Sequence, residues 1–143
     1  MAQDLRERAK GLQNVVMRGS LGRSAIREEY RSADIFLFPS CWEGSPRVLM
    51  EAAASGLPVI ARKDYEPESV IDGKTGFLAT TDDELIARLA QPLASPDLRR
   101  TLGQAARDHV SRFSWDVITR QWEAIFIRLA QSRHGQSRRE PAA

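Results

Sequence analysis

Residues 35–61, IFLFPSCWEGSPRVLMEAAASGLPVIA, decide the fold. Ile35 to Phe38 is a short, wholly apolar run, the pattern of a parallel strand covered on both faces. Pro39 ends it, because proline cannot donate to a ladder. Ser40 to Ser45 is a small polar loop with one glycine. Pro46 then stands where a first helical residue would be, with Ser45 as its N-cap. Val48, Leu49, Ala52 and Ala53 follow at helical spacing, Gly56 closes the helix, and Leu57-Pro58-Val59-Ile60 opens the next buried strand. Two carboxylates frame the unit: Glu43 in the loop and Glu51 about a turn and a half into the helix.

A helix that starts at the carboxyl edge of a parallel sheet is an anion site, with free amides and the positive end of its dipole facing a crevice. A phosphate-bearing ligand with hydroxyls on either side would match the two carboxylates. The ordered string Pro39-Ser40, Glu43-Gly44, Glu51-Ala52 and Gly56-Leu57-Pro58-Val59 resembles the nucleotide-sugar-dependent glycosyltransferases of family 4, also called group 1, which have the GT-B fold. The two-glutamate spacing alone carries little, since ten glutamates in 143 residues give about 0.7 pairs at any chosen separation. The specificity lies in the whole string.

The resemblance covers roughly residues 5–131 and implies an α/β fold: a Rossmann-like parallel sheet with flanking helices, an incomplete C-terminal half of a GT-B fold. In the family that half begins with a Gly-Arg strand, a helix and a second strand ending in a glycine-rich turn. These supply the basic residues that meet the diphosphate, and the acceptor-binding domain precedes them. The chain is expected to start after that second strand. In the family's strand order, 3-2-1-4-5-6, Val15–Met17 is then strand three and Ile35–Phe38 strand four. Val15–Met17 should have no native partner, leading to self-association or to its collapse beside Ile35–Phe38.

The resemblance also assigns roles. Glu43 would hold donor-sugar hydroxyls or steady charge at the anomeric carbon, and Glu51 would accept from a ribose hydroxyl. Read by themselves, these are a loop carboxylate and a solvent-facing helix glutamate. Gly44 and Ser45 would bring backbone amides to sugar and phosphate. The commoner family pattern has glycine where Pro46 stands, and proline removes one amide donor there. Arg47 is a local cation that could meet a phosphate, or a plain surface arginine. Met17 and Arg18 correspond to the strand end whose backbone reads the base in the family.

Elsewhere the expectations are simpler. Ala2 to Lys10 is a short helix closed by Gly11, and Ser24 caps a helix through Arg31. Glu66 to Val70 forms a helical turn, Asp72-Gly73 a tight turn, and Gly76 to Ala79 the last strand. Asp82 opens a helix that breaks before Pro92, and Ser95-Pro96-Asp97 starts another through Val110. Ser114 caps a final helix with Trp115, Ile118, Trp122, Ile125, Phe126 and Leu129 on its apolar side. Residues 1–132 form the partial domain and 133–143 a disordered tail.

Composition bounds the function. A net charge of +2 with no basic stripe outside the tail argues against a nucleic-acid partner. The single Cys41 excludes an internal disulfide and fits a reducing, cytoplasmic setting. It lacks a neighbouring base and is not read as a nucleophile. His109 and His134 read as structural or solvated. No apolar run reaches the roughly eighteen residues of a membrane span, which leaves only peripheral membrane contact open. No metal-ligand spacing occurs, and no cofactor is expected, the nucleoside-diphosphate sugar being substrate. The partners implied are that donor and an N-terminal acceptor domain. Two rival readings are a non-catalytic remnant with weak nucleotide affinity and a NAD-type domain, the latter disfavoured because no G-x-G-x-x-G follows a strand.

Overall fold

The computed structural model describes residues 2–136, and within them the chain divides between Ser32 and Ala33 into two compact units. The first holds α1 (Ala2–Ala9) and α2 (Arg23–Ser32). Gly11, at φ +86°, follows α1 as expected of a residue closing a helix. Ser24 lies inside α2 and does not cap it; the helix starts one residue earlier, and the Ile26 amide bonds the Gly22 carbonyl (3.0 Å).

Val15–Met17 is not a strand, and it pairs neither with Ile35–Phe38 nor with any other strand among the described residues. A strand is a pairwise object. Three apolar residues without a neighbouring ladder gain no backbone hydrogen bonds from extension, so the segment is irregular and exposed.

The second unit is a three-stranded parallel sheet, β1 (Phe36–Phe38), β2 (Val59–Arg62) and β3 (Gly76–Ala79), in the order β1-β2-β3. Phe36 is in register with Val59, and Val59 in turn with Gly76. β2 is buried along its whole length, the apolar Val59, Ile60 and Ala61 together with Arg62. β1 was expected to be covered on both faces, but it is the sheet edge, and Leu37 is 41% exposed. Ile60, Phe77, Ala79, Leu85 and Leu102 form a core cluster, with Ile35, Leu89 and Leu98 packed on it.

α3 (Arg47–Ala54) crosses between β1 and β2 and buries Leu49, Ala52 and Ala53. It ends in a Schellman motif: the Gly56 amide bonds the Ala53 carbonyl (2.9 Å) and the Leu57 amide bonds the Ala52 carbonyl (3.1 Å). That ending needs a left-handed residue, and Gly56 has φ +84°. Residues 67–70 make a single turn, closed by the Val70 amide on the Pro67 carbonyl (3.0 Å).

α4 (Asp82–Ala94) is capped by Thr81, whose hydroxyl accepts from the Glu84 amide (3.2 Å). It was expected to break before Pro92, yet it runs through Pro92 to Ala94. Pro92 forfeits one amide bond to the preceding turn, and the helix ends two residues later. Arg99 also donates to the carbonyl of Pro92 (2.8 Å), satisfying a terminal acceptor. α5 (Pro96–Val110) starts as its sequence indicates, the Ser95 hydroxyl accepting from the Leu98 amide (3.2 Å). Gly103 lets α5 lie against the turn after α3: a Cβ there would stand 2.0 Å from the Gly56 carbonyl oxygen.

A single 3-10 turn, Ser111–Phe113, leads to α6 (Trp115–Gln136). Trp115, Trp122, Ile125, Phe126 and Leu129 on its apolar side are all exposed. α6 takes in the first four residues of the expected tail, and residues 137–143 lie outside the described residues.

Candidate functional site

In a parallel sheet the loops that leave the carboxyl ends of the strands share one edge. Here they are the loop after β1, which carries Cys41, Trp42, Glu43, Gly44 and Ser45, and the loop after β2, which carries Asp64, Tyr65 and Glu66. α3 begins one residue later than the sequence implied. Pro46 occupies the cap position with extended backbone (φ −71°, ψ 106°), and no side chain caps the helix, so Ser45 is not an N-cap. The Leu49 amide is taken by the Pro46 carbonyl (3.1 Å). Pro46 has no amide, which leaves those of Arg47 and Val48 at the helix start for an outside acceptor.

Three depressions are linked by shared lining residues, two of them on these loops and the third beside α3. The first, about 480 Å³, is lined by Cys41, Trp42, Glu43, Asp64 and Tyr65. The second, about 110 Å³, lies over Gly44, Ser45 and Pro46 and is closed by Tyr65, Met50 and the Glu66–Ser69 turn. The third, about 510 Å³ and mostly apolar, has Met50 and Glu51 on one wall and Val110, Phe113 and Trp115 on the other. Tyr65 is common to the first two and Met50 to the second and third. Glu43, Gly44, Ser45 and Glu51 are thus distributed along one string of cavities, all four exposed. Arg47 is also exposed, at the helix start, and makes no ion pair among the described residues.

Met17 and Arg18 belong to the first unit, and the string of cavities is built from the second alone. Both are exposed, and the Arg18 guanidinium pairs with Glu29 of α2. Cys41 is an exposed free thiol. His109 is structural: its Nε2 lies 2.8 Å from the Glu68 carbonyl and ties α5 to the turn behind the second cavity. The side chain of His134 lies outside the described residues.

Three residues at the end of β2 were not singled out in the sequence. Arg62 is buried and donates from Nε to Asp64 (3.0 Å), from Nη1 to Asp82 (2.8 Å) and from Nη2 to the Thr80 carbonyl (2.5 Å). Its bond to Asp64 keeps the guanidinium charged and holds the Asp64 carboxyl below the usual carboxylate range. The Arg62 fork thereby fixes the Asp64–Tyr65 loop to the start of α4. Burial pushes the Tyr65 phenol up to about 12, with the charges of Glu43 and Asp64 acting in the same direction. The signal that could have found these residues is position: Arg62 ends a buried parallel strand, and Asp64 and Tyr65 follow its carboxyl end.

No group of three or more His, Cys, Asp or Glu among the described residues could hold a metal ion. No helix among them is long and apolar enough to cross a membrane.

The sequence pattern that defines the family described as "Glycosyl transferases group 1" matches residues 1–109. The chain belongs to the group 1 glycosyl transferases. Among its relatives, the sulfoquinovosyl transferase SQD2 of Arabidopsis thaliana is 34% identical over 111 residues, covering 73% of this chain and 22% of that protein. A D-inositol 3-phosphate glycosyltransferase of Corynebacterium kroppenstedtii is 41% identical over 100 residues, 68% of this chain and 22% of that protein. The chain therefore spans about a fifth of the length of these curated relatives.

Among solved structures, sucrose-phosphate synthase from Thermosynechococcus elongatus matches with a TM-score of 0.78 at 28% identity, over 91% of this chain and 34% of that one. The C-terminal domain of a group 1 family glycosyl transferase (LpcC) from Francisella tularensis matches with a TM-score of 0.66 at 27% identity, over 76% of this chain and 60% of that one. The α/β architecture with its parallel sheet is that of the GT-B glycosyltransferases.

Proposed function

We propose that this group 1 glycosyl transferase chain is the donor-binding half of a retaining, hexosyltransferase-type enzyme that takes its sugar from a nucleoside-diphosphate sugar. The observation that carries the reading is the string of three adjoining cavities with Glu43 in the first, Gly44 and Ser45 in the second, and Glu51 in the third. An extended ligand whose polar groups run hydroxyl, phosphate, hydroxyl matches that order. Glu43 orients the sugar and faces the charge that develops at the anomeric carbon. The amides at the start of α3, its dipole and the Arg47 side chain face the diphosphate as it leaves. Glu51 accepts from a ribose hydroxyl.

Further basic groups and the acceptor site come from an N-terminal acceptor domain or its equivalent. Met17 and Arg18 stand as candidates for contact with the base. The setting is cytoplasmic, with membrane contact, if any, peripheral. The two curated relatives described above carry names for different transfers, so the donor sugar is not assigned by likeness.

Calorimetric titration with UDP, GDP and ADP tests the reading. One of them binds weakly, and Glu51→Ala removes a charged hydrogen-bond partner at a cost of about 1.5–3 kcal/mol. A nucleotide affinity unchanged in that variant would show that Glu51 does not hold the ribose.

A further inference from the structure

The hydroxyl oxygen of Tyr65 is buried and has no hydrogen-bond partner among the described residues. A buried hydroxyl without a partner is unfavourable, and phenylalanine would satisfy the fold at less cost. The next residue, Glu66, has φ +44°, and among the described residues it alone is a non-glycine residue with positive φ. Two local costs therefore fall on successive residues just after the central strand: Tyr65 lines both of the first two cavities, and Glu66 lines the second. Strain that collects beside a cavity points to use by a ligand rather than by the fold.

The groups around Tyr65 indicate what that ligand part is. Glu43 and Asp64 line the first cavity and, as carboxylates, only accept hydrogen bonds. Trp42 in the same wall is 93% exposed, leaving its indole open to an apolar ring face. An aromatic face beside two acceptors suits a sugar ring, which presents C–H groups on one side and hydroxyls at its rim. Hydroxyl oxygens also have lone pairs, and these need a donor. The Tyr65 phenol stays protonated at neutral pH and is a donor without a competing partner among the described residues.

We infer that Tyr65 is a specificity-determining residue for the sugar, its hydroxyl donating to a hydroxyl oxygen of the hexose held beside Glu43. The inference rests on the nucleotide-sugar reading above. Tyr65 lines both cavities, so its side chain is the part of the loop after β2 that the sugar and the phosphate subsites share.

The test compares a nucleoside diphosphate with its hexose ester (UDP with UDP-glucose, GDP with GDP-mannose) on the wild-type chain, Tyr65→Phe and Glu51→Ala. Tyr65→Phe should weaken the hexose ester about three- to tenfold and leave the free diphosphate unchanged. Its thermal midpoint should be equal to or above that of the wild type, because an unpartnered buried hydroxyl has been removed. Glu51→Ala should weaken both ligands. If Glu51→Ala weakens both and Tyr65→Phe weakens neither, the nucleotide-sugar reading stands and the Tyr65 assignment falls. A Tyr65→Phe variant with a lowered midpoint and equal losses for both ligands assigns the hydroxyl a structural role and also overturns it. If neither nucleotide nor ester binds the wild type, the reading it rests on is wrong, and the Tyr65 assignment goes with it.

Discussion

Replacing Gly103 with alanine sets two opposed effects against each other, and the structure decides between them. Gly103 is buried in the interior of α5, where glycine is intrinsically about 1 kcal/mol worse than alanine. On propensity alone the substitution stabilises. The added Cβ, however, would stand 2.0 Å from the carbonyl oxygen of Gly56, 3.0 Å from its carbonyl carbon and 3.5 Å from Pro58 Cδ. The first two neighbours are backbone, held by the Schellman turn that ends α3, so neither can swing aside. Even a tight carbon–oxygen contact needs roughly 3.3 Å, so α5 must retreat by more than about 1 Å.

Overpacking of that kind costs about 3 kcal/mol, the upper end of its usual range, because the clash is with main chain. After the helical gain, the expected net loss is about 2 kcal/mol, or about 4–8 °C in midpoint for a chain of this size. Urea and thermal unfolding followed by circular dichroism measure it. An alanine variant as stable as the parent, or more so, would refute the close packing of α5 on the turn that positions α3.

Two further outcomes are expected. Asp64 has a depressed pKa because it accepts from Arg62, so the bond stabilises the fold above the ordinary carboxylate pKa of about 4 and is lost as pH falls through the lower folded value. Thermal midpoints measured from pH 6 to pH 2 should therefore fall less steeply in Asp64→Asn than in the parent, and parallel curves would contradict the pairing. The 143-residue chain by itself should not transfer sugar, since acceptor binding is assigned to residues outside it. Sustained, acceptor-dependent release of UDP or GDP by the purified chain would overturn that.

The β1-α3-β2 unit was legible in the sequence where a boundary has a local chemical cause; the start of α3 was displaced by one residue, because Pro46 and not Ser45 takes the cap position. Pro39 stops a ladder, Gly56 supplies the left-handed residue of a Schellman turn, and Ser95-Pro96 starts a helix whether or not the rest of the chain is known. Val15–Met17 failed for the opposite reason: apolarity is local, but a strand requires a partner, and three residues carry no information about one. Pro92 failed because the rule that proline ends a helix holds for interiors, whereas here it sits in the last turn with Arg99 on its carbonyl. Burial of β1 was overestimated for the same reason as Val15–Met17, since edge position is set by pairing and not by the run itself.

The candidate site divides along the same line. Glu43, Gly44, Ser45 and Glu51 lie on one continuous stretch, so their spacing could be read, and the structure places them on adjoining cavities. Asp64 and Tyr65 reach the same cavities from the end of another strand, some twenty residues on in the chain, and no spacing rule links them to Glu43.

The most direct test of the central claim is amide chemical-shift mapping of the chain titrated with the nucleoside diphosphate that calorimetry selects. The largest shifts are expected at the backbone amides of Gly44, Ser45, Arg47 and Val48, where the helix start meets the diphosphate, with smaller ones around Glu51. Saturable binding whose shifts cluster elsewhere and leave those four amides unmoved would contradict it.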